Sequence, residues 1–265
     1  MPDGHAPTIV RLRLAIISDI HANLPALEAV LASIEEAAVD ELWCLGDVVG
    51  YGAQPDECAR LVSEHCSLCL VGNHDLAVLD ELDVSAFSPA AAAAVRWTRD
   101  VAKDATLEFL RRLEPADESH EVALYHASPR DPVWEYVLWP DQAAECIGIQ
   151  AARVSLVGHS HVALFFVMPE NQGPPGRSAE LLDAARGAQA GGGTRLNLSE
   201  GRWLANPGSV GQPRDGDPRA AWLELDTETW EANYHRVDYD IDRAAEAITA
   251  TDLPEHLARR LYVGQ

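Results

Sequence analysis

One pattern recurs along this chain and limits the folds that it can adopt. A short apolar run, rich in β-branched residues, stops at a cluster of Asp, Asn, His and Gly. The instances are residues 12–21, 41–47, 67–75, 121–129 and 153–161, and residues 203–209 follow the same plan. Near-continuous apolar strands of this length are typical of a sheet that is buried on both faces. The pattern therefore predicts an α/β protein with its polar clusters at strand ends.

Helical segments separate the first three of these strands. Residues 24–37 place four apolar side chains on one face, and residues 55–64 begin with a proline, which the first turn of a helix tolerates. The alternation of strand and helix implies parallel pairing with right-handed crossovers. Because ligand sites in such sheets lie beyond the carboxyl ends of the strands, we expect the polar clusters to converge in space.

The chain otherwise predicts an N-terminal tail (1–11) and one domain (12–265). Ser88 and Pro89 are suited to cap and begin a helix. The additions to the domain are a helical insertion at about 86–113, a flexible insertion rich in Gly, Pro and Ala at about 170–194, and a C-terminal helical segment at about 241–265.

Charge and targeting features restrict the partners. The chain has 42 acidic and 20 basic residues, a formal net charge of −22. Such a surface repels phosphate backbones and anionic lipids, which argues against nucleic-acid polymers and membrane surfaces as partners. It also disfavours phosphate-bearing substrates unless the substrate site contains a positively charged group. We found no signal peptide and no apolar run of about 18 residues, so we expect a cytoplasmic protein; a homo-oligomer stays open.

The five cysteines fit this compartment, because an odd number in a long chain suits a reducing cytoplasm better than a disulfide framework. Cys66 and Cys69 form one C-x-x-C. Without a second pair nearby, packing in and beside a strand is favoured over a zinc knuckle.

Side chains that can ligate a metal are concentrated in the strand-end clusters. On an extended chain, Asp19 with His21 and His159 with His161 would each point two donors to one side, roughly 6–7 Å apart. Any single histidine here is more often structural than a ligand, but burying the whole set would be costly without a metal. Seven N and O donors suit two ions that share a carboxylate, and without cysteine they favour Mn, Fe, Zn or Co over copper(I) or an iron–sulfur cluster. They are Asp19, His21, Asp47, Asn73, His126, His159 and His161.

The ordered set of motifs resembles a known family. Asp19-Ile20-His21, Gly46-Asp47, Gly72-Asn73-His74-Asp75, His126 and Gly158-His159-Ser160-His161 occur in the order found in calcineurin-like metallophosphoesterases. Residues 206–214 resemble the small bacterial and archaeal phosphoesterase branch of that superfamily, and the likeness covers roughly residues 12–225. It implies two packed mixed β-sheets flanked by helices, an α/β/β/α sandwich. Strand periodicity alone predicts only a buried, partly parallel sheet.

The resemblance also implies roles for individual residues. One metal would be held by Asp19, His21, Asp47 and His161, and the second by Asp47, Asn73, His126 and His159. The catalytic residues would be His74 and Asp75. His74 would donate a proton to the leaving oxygen or to a phosphoryl oxygen, and Asp75 would orient a loop or a ligand. Two divalent ions, manganese preferred and iron, zinc, cobalt or nickel as alternatives, would generate a bridging hydroxide that attacks the phosphate ester.

The sequence also narrows the substrate. Ser160 lacks the final glycine of a nucleophile elbow, which argues against a serine hydrolase. Gly191-Gly192-Gly193-Thr194 is not followed by the Gly-Lys of a P-loop, which argues against a P-loop nucleotide-binding protein. Phosphoprotein phosphatases of this superfamily continue Gly-Asp with a further Asp and then Arg, which residues 46–52 lack. We therefore expect a small phosphorylated substrate, with a phosphodiester or nucleoside polyphosphate preferred. A protein serine/threonine phosphatase and a non-catalytic interaction scaffold are the alternatives.

Substrate-binding candidates lie outside the metal motifs. Arg214, with Asn206 and Ser209, is the candidate for contacting phosphate, although a solvent-facing arginine after a turn explains Arg214 almost as well. Three aromatic residues after the 121–129 cluster either wall a pocket for a flat group or simply pack in the core, the commoner fate. They are Trp134, Tyr136 and Trp139.

Overall fold

The structure, a computed structural model, describes residues 12–169 and 185–265. Two six-stranded sheets are present in these ranges. The strands are β1 (Arg13–Ile17), β2 (Glu41–Cys44), β3 (Leu68–Cys69), β4 (Ala116–Asp117), β5 (Val122–Tyr125), β6 (Val154–Val157), β7 (Leu164–Met168), β8 (Arg186–Gln189), β9 (Arg195–Asn197), β10 (Arg202–Asn206), β11 (Ala220–Asp226) and β12 (Glu231–Val237). The helices are α1 (Leu24–Ala37), α2 (Pro55–His65), α3 (Asn73–Val78), α4 (Pro89–Val101), α5 (Asp104–Leu110), α6 (Pro140–Ile149), α7 (Ile241–Thr249) and α8 (His256–Arg259).

Both sheets are mixed, and they pack face to face. The first has the order β3-β2-β1-β11-β12-β9 and the second β4-β5-β6-β10-β7-β8. The parallel pairs are β1 with β2, β2 with β3, β5 with β6 and β6 with β10. Helices α1 and α2 cover the outer face of the first sheet, and α6 covers the outer face of the second. The α/β/β/α sandwich implied by the family resemblance is confirmed.

Strand β1 shows why the apolar runs are continuous. Leu14 and Ile16 point into the layer between the two sheets, whereas Ala15 and Ile17 point into the layer beneath the helices. All four side chains are fully buried. Because successive residues of a strand face opposite sides, a strand covered on both faces needs an apolar residue at every position.

The helices agree closely with the sequence pattern. The predicted segments 24–37 and 55–64 are α1 and α2, and the Ser88 hydroxyl accepts a hydrogen bond from Ala91 N at the start of α4. The predicted helical insertion divides into α4 and α5, because the backbone is extended at Ala102 and Lys103.

The sequence predicts three further segments, which the structure describes to different extents. The C-terminal segment contains α7 and α8. Residues 1–11 and most of the predicted flexible insertion, 170–184, lie outside the described residues, while the last part of that insertion contains β8. Within the described ranges, no helix combines the length and the apolar character that crossing a membrane requires.

The carboxyl ends of the parallel strands of both sheets meet at one edge of the sandwich, and the loop after β10 fastens this edge together. Val210 N donates to Ser18 O and Gly211 N to Asp19 O, each at 3.0 Å. A Cβ atom on Gly211 would lie 1.8 Å from the carbonyl oxygen of Ile20. The loop can therefore approach β1 this closely only with glycine at position 211.

We predict that Gly211→Ala lowers the free energy of unfolding by about 2–3 kcal/mol, because one of two tightly packed backbone segments must move. Gly191→Ala is the control, since a Cβ there meets no atom within 4 Å, and it should change stability by less than about 0.5 kcal/mol. Urea unfolding followed by circular dichroism measures both. Equal stability of the two variants would contradict the close approach.

Candidate metal centre

The ligand candidates lie on tight turns, and here one sequence-based expectation is wrong. Strands β1 and β6 end at Ile17 and Val157, so neither Asp19-x-His21 nor His159-x-His161 is extended. These four residues and Asp47 have positive φ angles, between 48° and 62°. Left-handed backbone is unfavourable for residues with a Cβ, and such strain clusters at functional sites. In the first pair, the turn brings Asp19 Oδ1 to 3.9 Å from His21 Nε2.

The first group of donors joins the ends of β1, β2 and β6. One donor atom from each of four buried residues lies within 4.8 Å of the others: Asp19, His21, Asp47 and His161. His161 Nε2 is 3.3 Å from Asp19 Oδ1, and His21 Nε2 is 3.5 Å from Asp47 Oδ2. Four convergent N and O donors at this spacing match a first metal position.

Hydrogen bonds to the backbone determine which imidazole nitrogen faces the centre. His21 Nδ1 lies 3.1 Å from Val49 O, and His161 Nδ1 lies 2.6 Å from Gln212 O, so each Nδ1 carries the proton. The two Nε2 atoms then present lone pairs to each other at 3.0 Å. Two lone pairs at this distance repel, and a cation between them removes the repulsion.

The second group uses the same aspartate. Asp47, His126 and His159 again have donor atoms within 4.8 Å of one another. His126 Nδ1 is 2.9 Å from the carbonyl oxygen of Leu45, which leaves its Nε2 lone pair facing Asn73 Oδ1 at 3.2 Å, another contact between two acceptors. His159 differs, because its Nε2 faces the Trp134 carbonyl at 3.1 Å and Nδ1 is left for the centre.

The two aspartates are anchored through one oxygen each. His159 N donates to Asp19 Oδ2 at 3.0 Å, and His74 N donates to Asp47 Oδ1 at 2.8 Å. The other oxygens, Asp19 Oδ1 and Asp47 Oδ2, are buried without a hydrogen-bond partner. Such orphaned oxygens carry a desolvation penalty that a bound cation would remove. The donor set therefore fits two metal ions.

Burial without a cation penalises every charge in this cluster. It raises the pKa of Asp19 to about 7 and raises the pKa of Asp47 well above its ordinary value. It also lowers the pKa of His21, His159 and His161 well below the ordinary value, which keeps the rings neutral. Neutral imidazoles and carboxylates are the forms that bind a divalent ion.

His74 lies beside the donors without joining either group. Its ring packs edge-on against His21 at 4.9 Å and against Phe87 at 5.1 Å, and the Tyr51 ring is 4.4 Å away. Burial lowers the pKa of His74 well below its ordinary value. Its Nδ1 has no partner among the described residues. This placement suits the proton donor implied by the resemblance.

Asp75 is fully buried and faces backbone. Its carboxylate accepts hydrogen bonds from Gly72 N at 3.0 Å, Val48 N at 3.2 Å and Val49 N at 3.0 Å. The side chain thus fastens the loop after Asp47 to the start of α3. These contacts fit the loop-orienting role better than direct contact with a substrate.

Two of the three substrate-binding candidates also face backbone. Asn206 Nδ2 donates to Gly158 O at 2.6 Å, and its Oδ1 accepts from Gly208 N at 2.8 Å. Ser209 Oγ donates to Asp19 O at 2.7 Å. Both side chains are fully buried. They hold the turns that carry Asp19 and His159, and their contacts point to positioning rather than to substrate binding.

Arg214, the third substrate-binding candidate, lies beside the metal-ligand candidates. Its guanidinium carbon lies 5.6 Å from the ring centroid of Tyr51, and its Nε is buried without a partner. Tyr51 itself packs edge-on against His21 at 4.7 Å. Sequence reasoning missed Tyr51, although its position between two glycines directly after the Gly46-Asp47 motif could have identified it.

The aromatic residues after β5 meet the site on its other side. The Tyr136 ring stacks on His159 with centroids 4.1 Å apart, and Trp134 contacts Phe87 at 4.9 Å. Tyr136 is 42% exposed and Trp139 is 65% exposed, so neither is an ordinary core residue. Tyr136 therefore fits the pocket-wall interpretation.

The cysteines take no part in this centre. Cys69 is half-buried on β3, opposite Cys44 on β2. Among the described residues, no cluster of three or more candidate metal ligands includes a cysteine. Cys69 lies in the sheet and Cys66 directly after α2, which fits packing in and beside a strand.

Comparison with known proteins identifies the class to which this fold and site belong. Residues 12–228 match the calcineurin-like phosphoesterase superfamily domain. The chain belongs to that superfamily and is a phosphoesterase, and the family resemblance is confirmed.

Three individual proteins are similar to this chain over different shares of its length. The crystal structure of a metallophosphoesterase from Sphaerobacter thermophilus superimposes with a TM-score of 0.84 at 36% identity, over 97% of this chain and 100% of that one. An uncharacterized protein of Methanocaldococcus jannaschii is 38% identical over 97% of this chain and its own full length. A symmetrical bis(5′-nucleosyl)-tetraphosphatase of Actinobacillus pleuropneumoniae is 37% identical over 25% of this chain and 26% of its own.

We predict that Asp47→Asn removes metal and activity together, because Asp47 contributes to both donor groups. Loss of an outer partner of a metal ligand already costs about 10–100-fold in affinity or activity, so loss of a shared ligand should cost more than about 100-fold. Elemental analysis and phosphoesterase assays measure the two effects. Asp80→Asn, at an aspartate whose side chain is 82% exposed, is the control. Full metal content in Asp47→Asn would contradict a shared ligand.

Proposed function

We propose that this phosphoesterase hydrolyses a phosphate ester of a small molecule with two divalent metal ions, manganese preferred. The observation that carries the proposal is the position of Asp47 in both donor groups, with Oδ2 buried and unpartnered between His21 and His126. Asp19, His21 and His161 would complete one ion's ligands, and Asn73, His126 and His159 the other's. Bound there, two divalent ions would supply an activated water and neutralise charge on the phosphate.

The protein itself holds these donors in place before substrate arrives. Val49 O, Leu45 O and Gln212 O each accept the proton of one histidine, which fixes the ring and directs its Nε2 inwards. Such outer contacts raise the basicity of a ligand and prevent its rotation. Asp75 fixes the loop of Val48 and Val49 in turn, so the ligands need little rearrangement on binding.

His74 supplies the proton in this proposal. The ring stands beside His21 with Nδ1 unengaged by the protein, and the negative charge of a bound phosphate would favour the protonated ring, which returns to neutral imidazole when it gives up the proton. A hydrogen bond from this ring to the leaving oxygen or a phosphoryl oxygen stabilises the charge that develops there. Phe87 and Tyr51 hold the ring from two sides, which limits its rotation.

Two features favour a small substrate over a phosphoprotein. Val48 and Val49 follow Asp47 where phosphoprotein phosphatases have polar residues, and both are fully buried. The chain also carries 22 more acidic than basic residues, which opposes binding of extended polyanions. The partial likeness to a symmetrical bis(5′-nucleosyl)-tetraphosphatase supports a nucleotide, and Tyr136 offers a ring beside His159 for a base.

We expect the purified protein to hydrolyse bis-p-nitrophenyl phosphate with added manganese, and to do so faster than p-nitrophenyl phosphate. Release of p-nitrophenolate measures both reactions, and Asp47→Asn purified in parallel excludes a contaminating enzyme. If neither ester is hydrolysed with Mn, Co, Ni, Fe or Zn, the proposal is wrong, and metal content then tests the scaffold alternative.

We predict that His74→Ala keeps its metal but loses about 10²–10⁴-fold in turnover, the usual contribution of a positioned proton donor. The loss should be larger for a phenyl ester than for the matching p-nitrophenyl ester, because p-nitrophenolate leaves with less help from an acid. His65→Ala, at an exposed histidine at the end of α2, is the matched control. An equal loss for both leaving groups would contradict proton donation.

A further inference from the structure

The C-terminal segment brings a second arginine to the metal centre. Leu257 and Leu261 are buried in a cluster with Tyr51 and residues of α4 and α7. This packing fixes Arg260, which lies between them, with its guanidinium carbon 6.0 Å from the Tyr51 ring centroid. Arg214 approaches the same ring at 5.6 Å. Two guanidinium groups therefore share one aromatic ring, which itself contacts His21 and His74.

Neither guanidinium forms an ion pair with an Asp or Glu side chain in the part of the chain that the structure describes. Arg214 Nη2 donates to Gln212 Oε1 at 2.9 Å, and Arg260 Nε donates to the main-chain oxygen of Gln265. Arg259, by contrast, forms an ion pair with Glu255 at 2.9 Å. Burial, and then the charge of Arg214, lower the pKa of Arg260. Two adjacent cations therefore lie beside the metal ligands, and among the described residues no Asp or Glu side chain is hydrogen-bonded to either of them.

We propose that Arg214 and Arg260 form an anion subsite that binds the phosphate group next to the one being hydrolysed. This inference rests on the proposed function and narrows it to substrates with two or more linked phosphates. Guanidinium groups bind phosphate oxygens through paired N–H donors, and the Tyr51 face orients both of them beside the metal ligands. The Tyr136 ring stacks on His159 with centroids 4.1 Å apart, so an aromatic ring also lies beside the metal ligands.

The test compares a nucleotide with two phosphates and a nucleotide with one. Inhibition of bis-p-nitrophenyl phosphate hydrolysis by ADP and by AMP is measured at a fixed free manganese concentration. We expect wild-type protein to bind ADP about tenfold or more tightly than AMP, as a charge-assisted contact to an additional phosphate allows. Arg260→Gln should reduce this preference to about twofold or less.

Two further variants separate charge from packing. Arg260→Lys keeps a cation and should keep part of the ADP preference, whereas Arg259→Gln, at the preceding arginine, whose side chain is 69% exposed, should keep all of it. An unchanged ADP preference in Arg260→Gln, or equal binding of ADP and AMP by wild type, would overturn the subsite.

Calorimetric titration of ADP and AMP into the manganese-loaded proteins gives the same ratio without turnover. If wild type hydrolyses neither ester, the proposed function fails, yet the titration still decides the subsite. If wild type hydrolyses the diester and Arg260→Gln loses turnover without losing its ADP preference, the subsite fails while the proposed function stands.

Discussion

The structure depends on a set of electron-pair donors that face each other without a proton between them. Asp19 Oδ1 and Asp47 Oδ2 are buried and unpartnered, and the nearest histidine nitrogens have their protons directed to backbone carbonyls on the far side of each ring. Folding alone gives no compensation for this arrangement, because buried carboxylates and opposed lone pairs both cost free energy. The surrounding loops are built to maintain it, and a divalent cation is what makes it favourable.

Much of this centre could be predicted from the sequence, because its residues follow local rules. An apolar run that ends in Asp, His or Asn indicates a strand and its carboxyl end, and parallel strands bring such ends together. The positive φ angles at Asp19 and His161 could not be inferred in this way, since they follow from hydrogen bonds to distant loops. Asp19 N donates to Gly46 O, and Arg214 N to His161 O. The presence of two sheets came from the family resemblance, because a strand buried on both faces has the same pattern against a helix or another sheet.

The residues that shape the surroundings of the centre were harder to find, and the reason is chain distance. Asp75 was identified, but its role became clear only from its contacts with Val48 and Val49, 27 and 26 residues earlier in the chain. Arg260 is far from Tyr51 in the chain, and no local pattern marks it. Its position follows from the packing of Leu257 and Leu261, which is a property of the folded C-terminal segment.

The groups suited to binding cations and those suited to binding anions therefore come from different parts of the chain. The strand ends carry the acidic and imidazole donors, which would bind cations, and the loop after β10 and the C-terminal helical turn carry the two arginines, which would bind anions. A surface with an excess of acidic residues repels long polyanions, while two bound ions and the guanidinium groups of Arg214 and Arg260 would make one location attractive to a single compact phosphate chain. Because Tyr51 contacts His21 as well as both arginines, the proposed anion subsite and the metal ligands meet at one aromatic ring.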